Sequence, residues 1–468
     1  MQDWKLQRLR LWTKLLAIPS KLIKIKTHWQ ILSILLVGSI LRFYNLGLIP
    51  GPVFDEVFYP VFALNYLSGE TFFSVHPPLG SYILTLGIYV YDLLPWTESI
   101  NFSLAQVGDV NPLSYRWIAA TSGVVLVYVG YRLALELFNH KHFALLVALF
   151  FMLDGSLLVD SRLGLINVFF TLFGFIAVLF FVKGNKNNNL GQFLLSGLML
   201  GAAFSVKWNG LGFWLALISF SFLFFIFHRL ELHYRDEYER GGLSKFLSLI
   251  FLPFFIYLIF WIPELIHNEN TLVDKHSQMI DYHFSDTDQK AHPYSSPWYT
   301  WPLMIRPIGY FFNSESIIAA GGDSIEIFTA IHLFPNPALN LLAFIAVIIL
   351  SFKWIEQIAK SYGTKKVTED TYVMTIILIG FYANFLPWAV ASRSTFIYHY
   401  QPSACFSFMA LAFLLYRLTD KRRSENMPLY YLTLILVLVS AVYWLPLQLG
   451  LEITSESFYS RMWFDTWI

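Results

Sequence analysis

Apolar residues along the chain gather into long blocks separated by short polar stretches. Eleven such blocks fall near 29–46, 113–136, 143–160, 163–182, 191–207, 209–228, 246–263, 338–354, 372–390, 399–417 and 428–448. Each is close to the ~18–20 residues a helix needs to cross a bilayer, and none shows the period-two alternation of a membrane barrel strand. The pattern predicts an all-α polytopic membrane protein with about 11 transmembrane helices. Ser81–Pro95 is apolar but short. It predicts a juxtamembrane helix lying along or dipping into the interface.

Composition agrees. Of 468 residues, 56% are hydrophobic and 13% charged, where a soluble domain carries about 25% charged residues. The distribution of charge says more than the net value of +1, which gives no reason to expect nucleic acid as a partner. Lys and Arg gather in alternate connections: residues 1–28, the 183–186 turn, the 229–245 loop, 353–366 and 417–423. Between Gly47 and Pro112 there is none. The positive-inside rule then predicts a cytoplasmic N-terminus and an outer C-terminal tail at 449–468. Residues 1–28 are basic, with no apolar core of a signal peptide, and predict a cytoplasmic segment on the membrane surface. The module at 29–448 has two long outer loops, 47–112 and 264–337, and one cysteine, Cys405, rules out an internal disulfide.

The first outer loop carries the candidate chemistry, in the stretch VFDEVFYPVFALNYLSGETFFSVHPPLGS from Val53 to Ser81. Asp55 and Glu56 form an acid pair at a membrane exit. A carboxylate there suits a general base that takes a hydroxyl proton while the oxygen attacks a sugar carbon. Neighbours in a helix do not share a face, so Asp55 is expected to be the base and Glu56 its companion. The pair alone is also what a solvated acidic turn or helix cap looks like. His76 precedes Pro77-Pro78-Leu79-Gly80, where the prolines give an extended entry and then open a helix. His76 there can bond phosphate or peptide.

Cations recur on the outer side, which otherwise avoids them: Arg116, Arg162, Lys207, Arg306 and Arg393, the last followed by His399 and Tyr400. One Arg at a helix end commonly snorkels to headgroups. A set of them predicts an anion site, with a lipid phosphate as the anion. His292, Trp298 and Trp301 lie in an aromatic stretch suited to interface anchoring or to an acceptor cleft. No HExxH, GxxxxGKS or GxGxxG spacing is present, so no metal, cofactor or nucleotide site is expected. The expected donor is lipid-linked. A transporter would need midplane acids and inverted repeats, which the sequence does not show.

Read together, these strings resemble the protein O-mannosyltransferase family. The resemblance rests on FDEV at 54–57, HPPLG at 76–80, Tyr115-Arg116, DSRLGLINVFF at 160–170, SVKWNGL at 205–211, SSPWYTWPLMIRP at 295–307 and FIYHYQPS at 396–403. It implies a bacterial-type member of the GT-C membrane glycosyltransferases in a bacterial plasma membrane, with its active site on the outer face. It further implies inverting transfer of mannose from polyprenyl-phosphate-mannose to Ser or Thr of a translocating protein. Transfer of a lipid-linked sugar to a lipid or glycan is the alternative. Asp55 then matches the family's proposed base, Glu56 its companion and Arg116 a charged residue near the active site. Phe58 and Ser81 stand where eukaryotic members typically carry His and Lys, and the second outer loop has no room for their MIR domain.

Overall fold

The computed structural model describes residues 29–232, 234, 242–267, 270–284, 292–318, 324–419 and 427–468. The amphipathic N-terminal segment and the basic residues Arg235, Arg240, Lys421, Arg422 and Arg423 lie outside the described residues. Among those described, eight helices are long and apolar enough to cross a membrane, nine if a pair bent by 61° is counted as one span, and two apolar helices are shorter. These eleven coincide with the eleven blocks. They are α1 (Trp29–Phe43), α4 (Leu113–Leu137), α5 (Lys141–Leu153) bent into α6 (Gly155–Ser161), α7 (Asn167–Asn187), α8 (Leu190–Val206), α9 (Leu211–Arg229), α10 (Leu252–His267), α12 (Pro337–Thr364), α13 (Glu369–Phe385), α14 (Gln401–Thr419) and α15 (Met427–Leu449).

The 47–112 loop forms two helices, α2 (Tyr59–Ser68) and α3 (Leu79–Asp92). Helix α3 begins within HPPLG and packs on α2 and α4; at 14 residues it is too short to span, as expected of a juxtamembrane helix. The 264–337 loop supplies α11 (Leu272–Phe284) and an antiparallel hairpin, β1 (Ile308–Ile318) with β2 (Ser324–Leu333), to which β3 (Glu452–Thr454) adds a third strand. The mostly helical architecture stands, but the sheet is an addition the apolar pattern did not announce.

The break between α5 and α6 matters most for the site. Asp154 is extended, and its carboxylate accepts from the Leu157 N–H at 2.9 Å and the Ser156 hydroxyl at 2.7 Å. This caps a new helix and turns the chain by 61°. A Cβ on Gly155 would lie 2.1 Å from the Phe334 carbonyl, so only glycine fits the corner. The turn brings Asp160 to the Tyr310 hydroxyl of β1.

Candidate active site

FDEV forms a single 3-10 turn, Phe54–Val57. Phe54 enters it at φ +53°, a left-handed conformation costly for an aromatic residue, and its ring stacks on Tyr310 at 4.0 Å. Within the turn the two acids meet different surroundings. Glu56 is fully buried and accepts four hydrogen bonds. Two come from Arg116, Nε at 2.8 Å and Nη2 at 2.7 Å; the others come from the Gly164 N–H at 2.6 Å and the Val53 N–H at 2.8 Å. Arg116 sends its remaining N–H groups to the carbonyls of Leu46, Ile49 and Gly51 at 3.0–3.1 Å. All five guanidinium donors are committed to protein acceptors.

Asp55 is half-buried, and its carboxylate has no hydrogen-bond partner among the described residues. Protein atoms still surround it closely. Burial raises its pKa to about 6, the charge of Lys207 opposes that, and Asp160 adds to it. Lys207 follows α8 and is buried. Its ammonium donates to Asn167 Oδ1 at 3.0 Å and lies 5.0 Å from the Tyr398 ring centroid. Burial weakens its hold on its proton, so an anion beside it would be favoured. Asp160 accepts from Tyr310 at 2.8 Å, Gln401 at 2.8 Å and Asn167 at 3.0 Å. It thereby fixes Asn167, which fixes Lys207.

Beside this group a cavity of about 390 Å³ opens between α9 and the end of α13. Its apolar wall includes Trp208, Trp214, Leu215 and Trp388, and its polar wall includes His76, His283, Asn384 and Arg393. Arg393 is half-buried, with no hydrogen-bond or ion-pair partner among the described residues. His76 stacks on Tyr59 at 6.2 Å and on His283 at 5.6 Å. Burial first, then Lys207, push its pKa well below the ordinary histidine value, so it is a neutral ring. Helix α11 pins this wall: His283 Nε2 bonds the Val75 carbonyl at 2.9 Å, and Lys275 bonds the Phe72 carbonyl at 3.1 Å and Glu264 at 3.0 Å. An apolar groove with neutral and cationic groups at one end suits a phosphorylated lipid.

Asp55, Lys207, His76 and Arg393 therefore share one neighbourhood, whereas several other expected cleft residues do not face it. Arg162 caps α1, donating to the carbonyls of Leu41, Arg42 and Tyr44 at 2.7–3.2 Å. Arg306 holds the carbonyls of Pro293 at 3.0 Å and Thr466 at 2.6 Å. Arg116 is locked on Glu56. In this structure these three, expected at a donor phosphate, direct their N–H groups to backbone carbonyls and Glu56 instead. His399 and Tyr400 are buried beside Trp388 and Phe385 and do not line the cavity. Trp301 is fully buried, its indole N–H on the Ser296 carbonyl at 3.2 Å, so it belongs to the core rather than to a cleft. Trp298 packs edge-on against Phe385 at 4.9 Å, and the exposed His292 lies 5.2 Å from Phe396. The sequence reading missed Asp160, Tyr310 and His283. Asp160 opens the DSRLGLINVFF string, which was the one available signal.

Comparison with known proteins places the chain. Residues 32–268 match the family model described as dolichyl-phosphate-mannose-protein mannosyltransferase, and residues 269–467 match the C-terminal four-helix region of protein O-mannosyltransferase. A relative in Mycolicibacterium smegmatis, the polyprenol-phosphate-mannose–protein mannosyltransferase, is 24% identical over 92% of this chain and 91% of its own length. The fold is similar to the Saccharomyces cerevisiae protein O-mannosyltransferase complex bound to its sugar donor. There the TM-score is 0.78 with 14% identity, over 96% of this chain and 93% of that one. It is also similar to ArnT from Cupriavidus metallidurans bound to undecaprenyl phosphate, with a TM-score of 0.58 and 12% identity over 89% and 64% of the chains.

Proposed function

The chain belongs to the dolichyl-phosphate-mannose–protein mannosyltransferase family, a membrane glycosyltransferase family of GT-C fold, and we propose from its geometry how it performs protein O-mannosylation. It transfers mannose from polyprenyl-phosphate-mannose to a protein hydroxyl. The single observation that carries the site assignment is the contrast in FDEV: among the described residues the Glu56 carboxylate has four protein donors and the Asp55 carboxylate has none. A carboxylate left open beside a lysine and a lipid-sized groove is placed to work on a substrate.

In this reading the prenyl chain lies along the apolar wall of the cavity and the phosphate meets Arg393 and Lys207. Asp55, ionised at neutral pH, takes the proton of a Ser or Thr hydroxyl as its oxygen attacks the anomeric carbon from the face opposite the phosphate. The C–O bond to mannose forms as the bond to phosphate breaks, and the pair stays on the departing polyprenyl phosphate. Lys207 and Arg393 stabilise that growing charge more than the ground state, which is what lowers a barrier. They supply positive charge that a metal would otherwise bring, so activity is expected to persist in EDTA. Glu56, Arg116, Asp160 and His283 act as positioning residues. The one-sided charge pattern supports a cytoplasmic N-terminus with the site at the outer face of a bacterial plasma membrane.

The test is transfer of radiolabelled mannose from polyprenyl-phosphate-mannose to a Ser/Thr peptide by the purified protein and its Asp55→Asn variant. Label on the peptide, lost in the variant while donor binding is retained, is the expected result. Label on a lipid or glycan but none on peptide would move the acceptor. Full activity in the variant would remove Asp55 as base.

A further inference from the structure

We propose that the free edge of β1 docks the acceptor polypeptide as an added strand that leads its hydroxyl to Asp55. This rests on the protein acceptor proposed above and specifies how it is held. In the sheet order β1-β2-β3, β1 is an edge. Its backbone pairs with β2 and makes no other main-chain hydrogen bond among the described residues.

Three features make this edge more than a leftover. First, it starts inside the site. The Tyr310 hydroxyl bonds Asp160 at 2.8 Å and its ring lies 4.0 Å from that of Phe54, the residue before Asp55. The register slips between Gly309 and Phe311, leaving Tyr310 as the extra residue of a bulge, a device that re-aims a side chain. Second, the strand leaves the protein body at once: Ile308 and Tyr310 are buried, and every residue from Phe312 to Ile318 is exposed. Those seven residues offer an extended ladder about 23 Å long at about 3.3 Å per residue. Third, no Lys or Pro of the strand blunts the edge. Exposed edges are ordinarily protected by Lys or Pro, and IGYFFNSESII contains no Lys, Arg or Pro.

The occupant these features fit is an extended polypeptide. Strand addition reads main chain rather than sequence, so it would serve any Ser- or Thr-bearing segment that is not yet folded. It would also deliver the segment along a line that begins beside Asp55. Glu315 and Glu326 are exposed on the hairpin, and no Lys or Arg occurs between Pro307 and Phe352, so neutral or basic segments fit best.

The experiment uses the full chain in detergent and a synthetic acceptor of about twelve residues, ~40 Å when extended, with one central Thr. The acceptor is methylated in turn at each backbone nitrogen. The expected result is a rise of about tenfold in peptide KM for every second methyl group on one side of the Thr, one lost hydrogen bond each, with little effect from those between. Amide exchange should slow at alternate residues of Phe311–Ile318 when the unmethylated peptide is added. Uniform tolerance of the methyl groups, or unchanged exchange, would overturn the docking while leaving the transferase intact. Protection gained without peptide would also overturn it. If it came on transfer to lipid vesicles it would assign the edge to the membrane, and on raising protein concentration to a second copy. An unmethylated parent that accepts no label would count against the protein acceptor itself.

Discussion

Glu56 and Asp55 are adjacent in the chain but belong to regions built on opposite terms. Around Glu56, each charge is matched: four donors meet its carboxylate and all five Arg116 donors find acceptors. Around Asp55, charges face space: the carboxylate and the Arg393 guanidinium lack protein partners among the described residues, and Lys207 has Asn167 as its hydrogen-bond acceptor. A buried polar group without a partner is costly. A fold that matches charges completely on one side of a turn and leaves them open on the other holds position with the first and reserves the second for a ligand. The same distinction sorts the arginines. Arg116, Arg162 and Arg306 serve backbone carbonyls, and Arg393 does not.

The largest expected effect tests the division directly. Asp55→Asn should lower kcat by about 10²–10⁴, the usual worth of a general base, with melting temperature at neutral pH no lower than wild type. Label transfer and a thermal melt check the two halves. Glu56→Gln should do the reverse in kind. It leaves the Arg116 charge buried without its counter-ion, which costs about 3–5 kcal/mol of stability, read as a lower midpoint of unfolding. A stable, inactive Glu56→Gln would break the comparison by making Glu56 a participant in the chemistry. Arg116→Lys should destabilise too, since one ammonium cannot reproduce a five-donor fork.

On the open side, Arg393→Gln should raise KM for the lipid-linked donor about 10–100-fold, the range for a hydrogen bond to a charged group. Unfolding should be unaffected, because no protein partner is lost. Arg162→Gln sharpens the contrast. Its guanidinium caps α1 through three carbonyls, so stability should drop while donor KM stays near wild type in whatever enzyme remains folded.

How much of this could be read in the chain follows the same line. The eleven apolar helical segments were legible because apolar block length is a local property, and each block matches a helix, a bent pair or a short apolar helix. Asp55 was legible as a candidate because FDEV and HPPLG follow the first apolar block together; the acid pair alone reads equally as a solvated turn. The fates of the cations were not, because an arginine's partner is set by where tertiary packing brings a carbonyl: Arg162 reaches Leu41, more than a hundred residues away. Asp160 was hidden for the same reason. Its donors come from β1, α7 and α14, and no local spacing announces that meeting. The hairpin escaped because its strands lack a clean alternation, with β1 exposed on both faces beyond Phe311.

The smallest expected effect is graded by pH and isolates Asp55 from every other titrating group. Its folded-state pKa is raised from 3.8 to about 6, chiefly by burial. In kcat/KM, which reports the free enzyme, the acid limb should fall about tenfold per pH unit below this value. Stability should move the other way for this residue. Between about 4 and 6 the folded protein holds a proton on Asp55 that the unfolded chain has released, so lowering the pH through that window favours the fold. The lowered pKa values of His76 and His283 pull against that trend, because they make protonation favour the unfolded chain. Subtraction removes them. Asp55→Asn should melt above wild type at pH 7, where Asp55 carries its charge, and the gap should shrink through the window and close only below about pH 4, where Asp55 is neutral in the unfolded chain as well. A gap independent of pH would mean that Asp55 is not the charged, half-buried group on which the open side of the comparison depends.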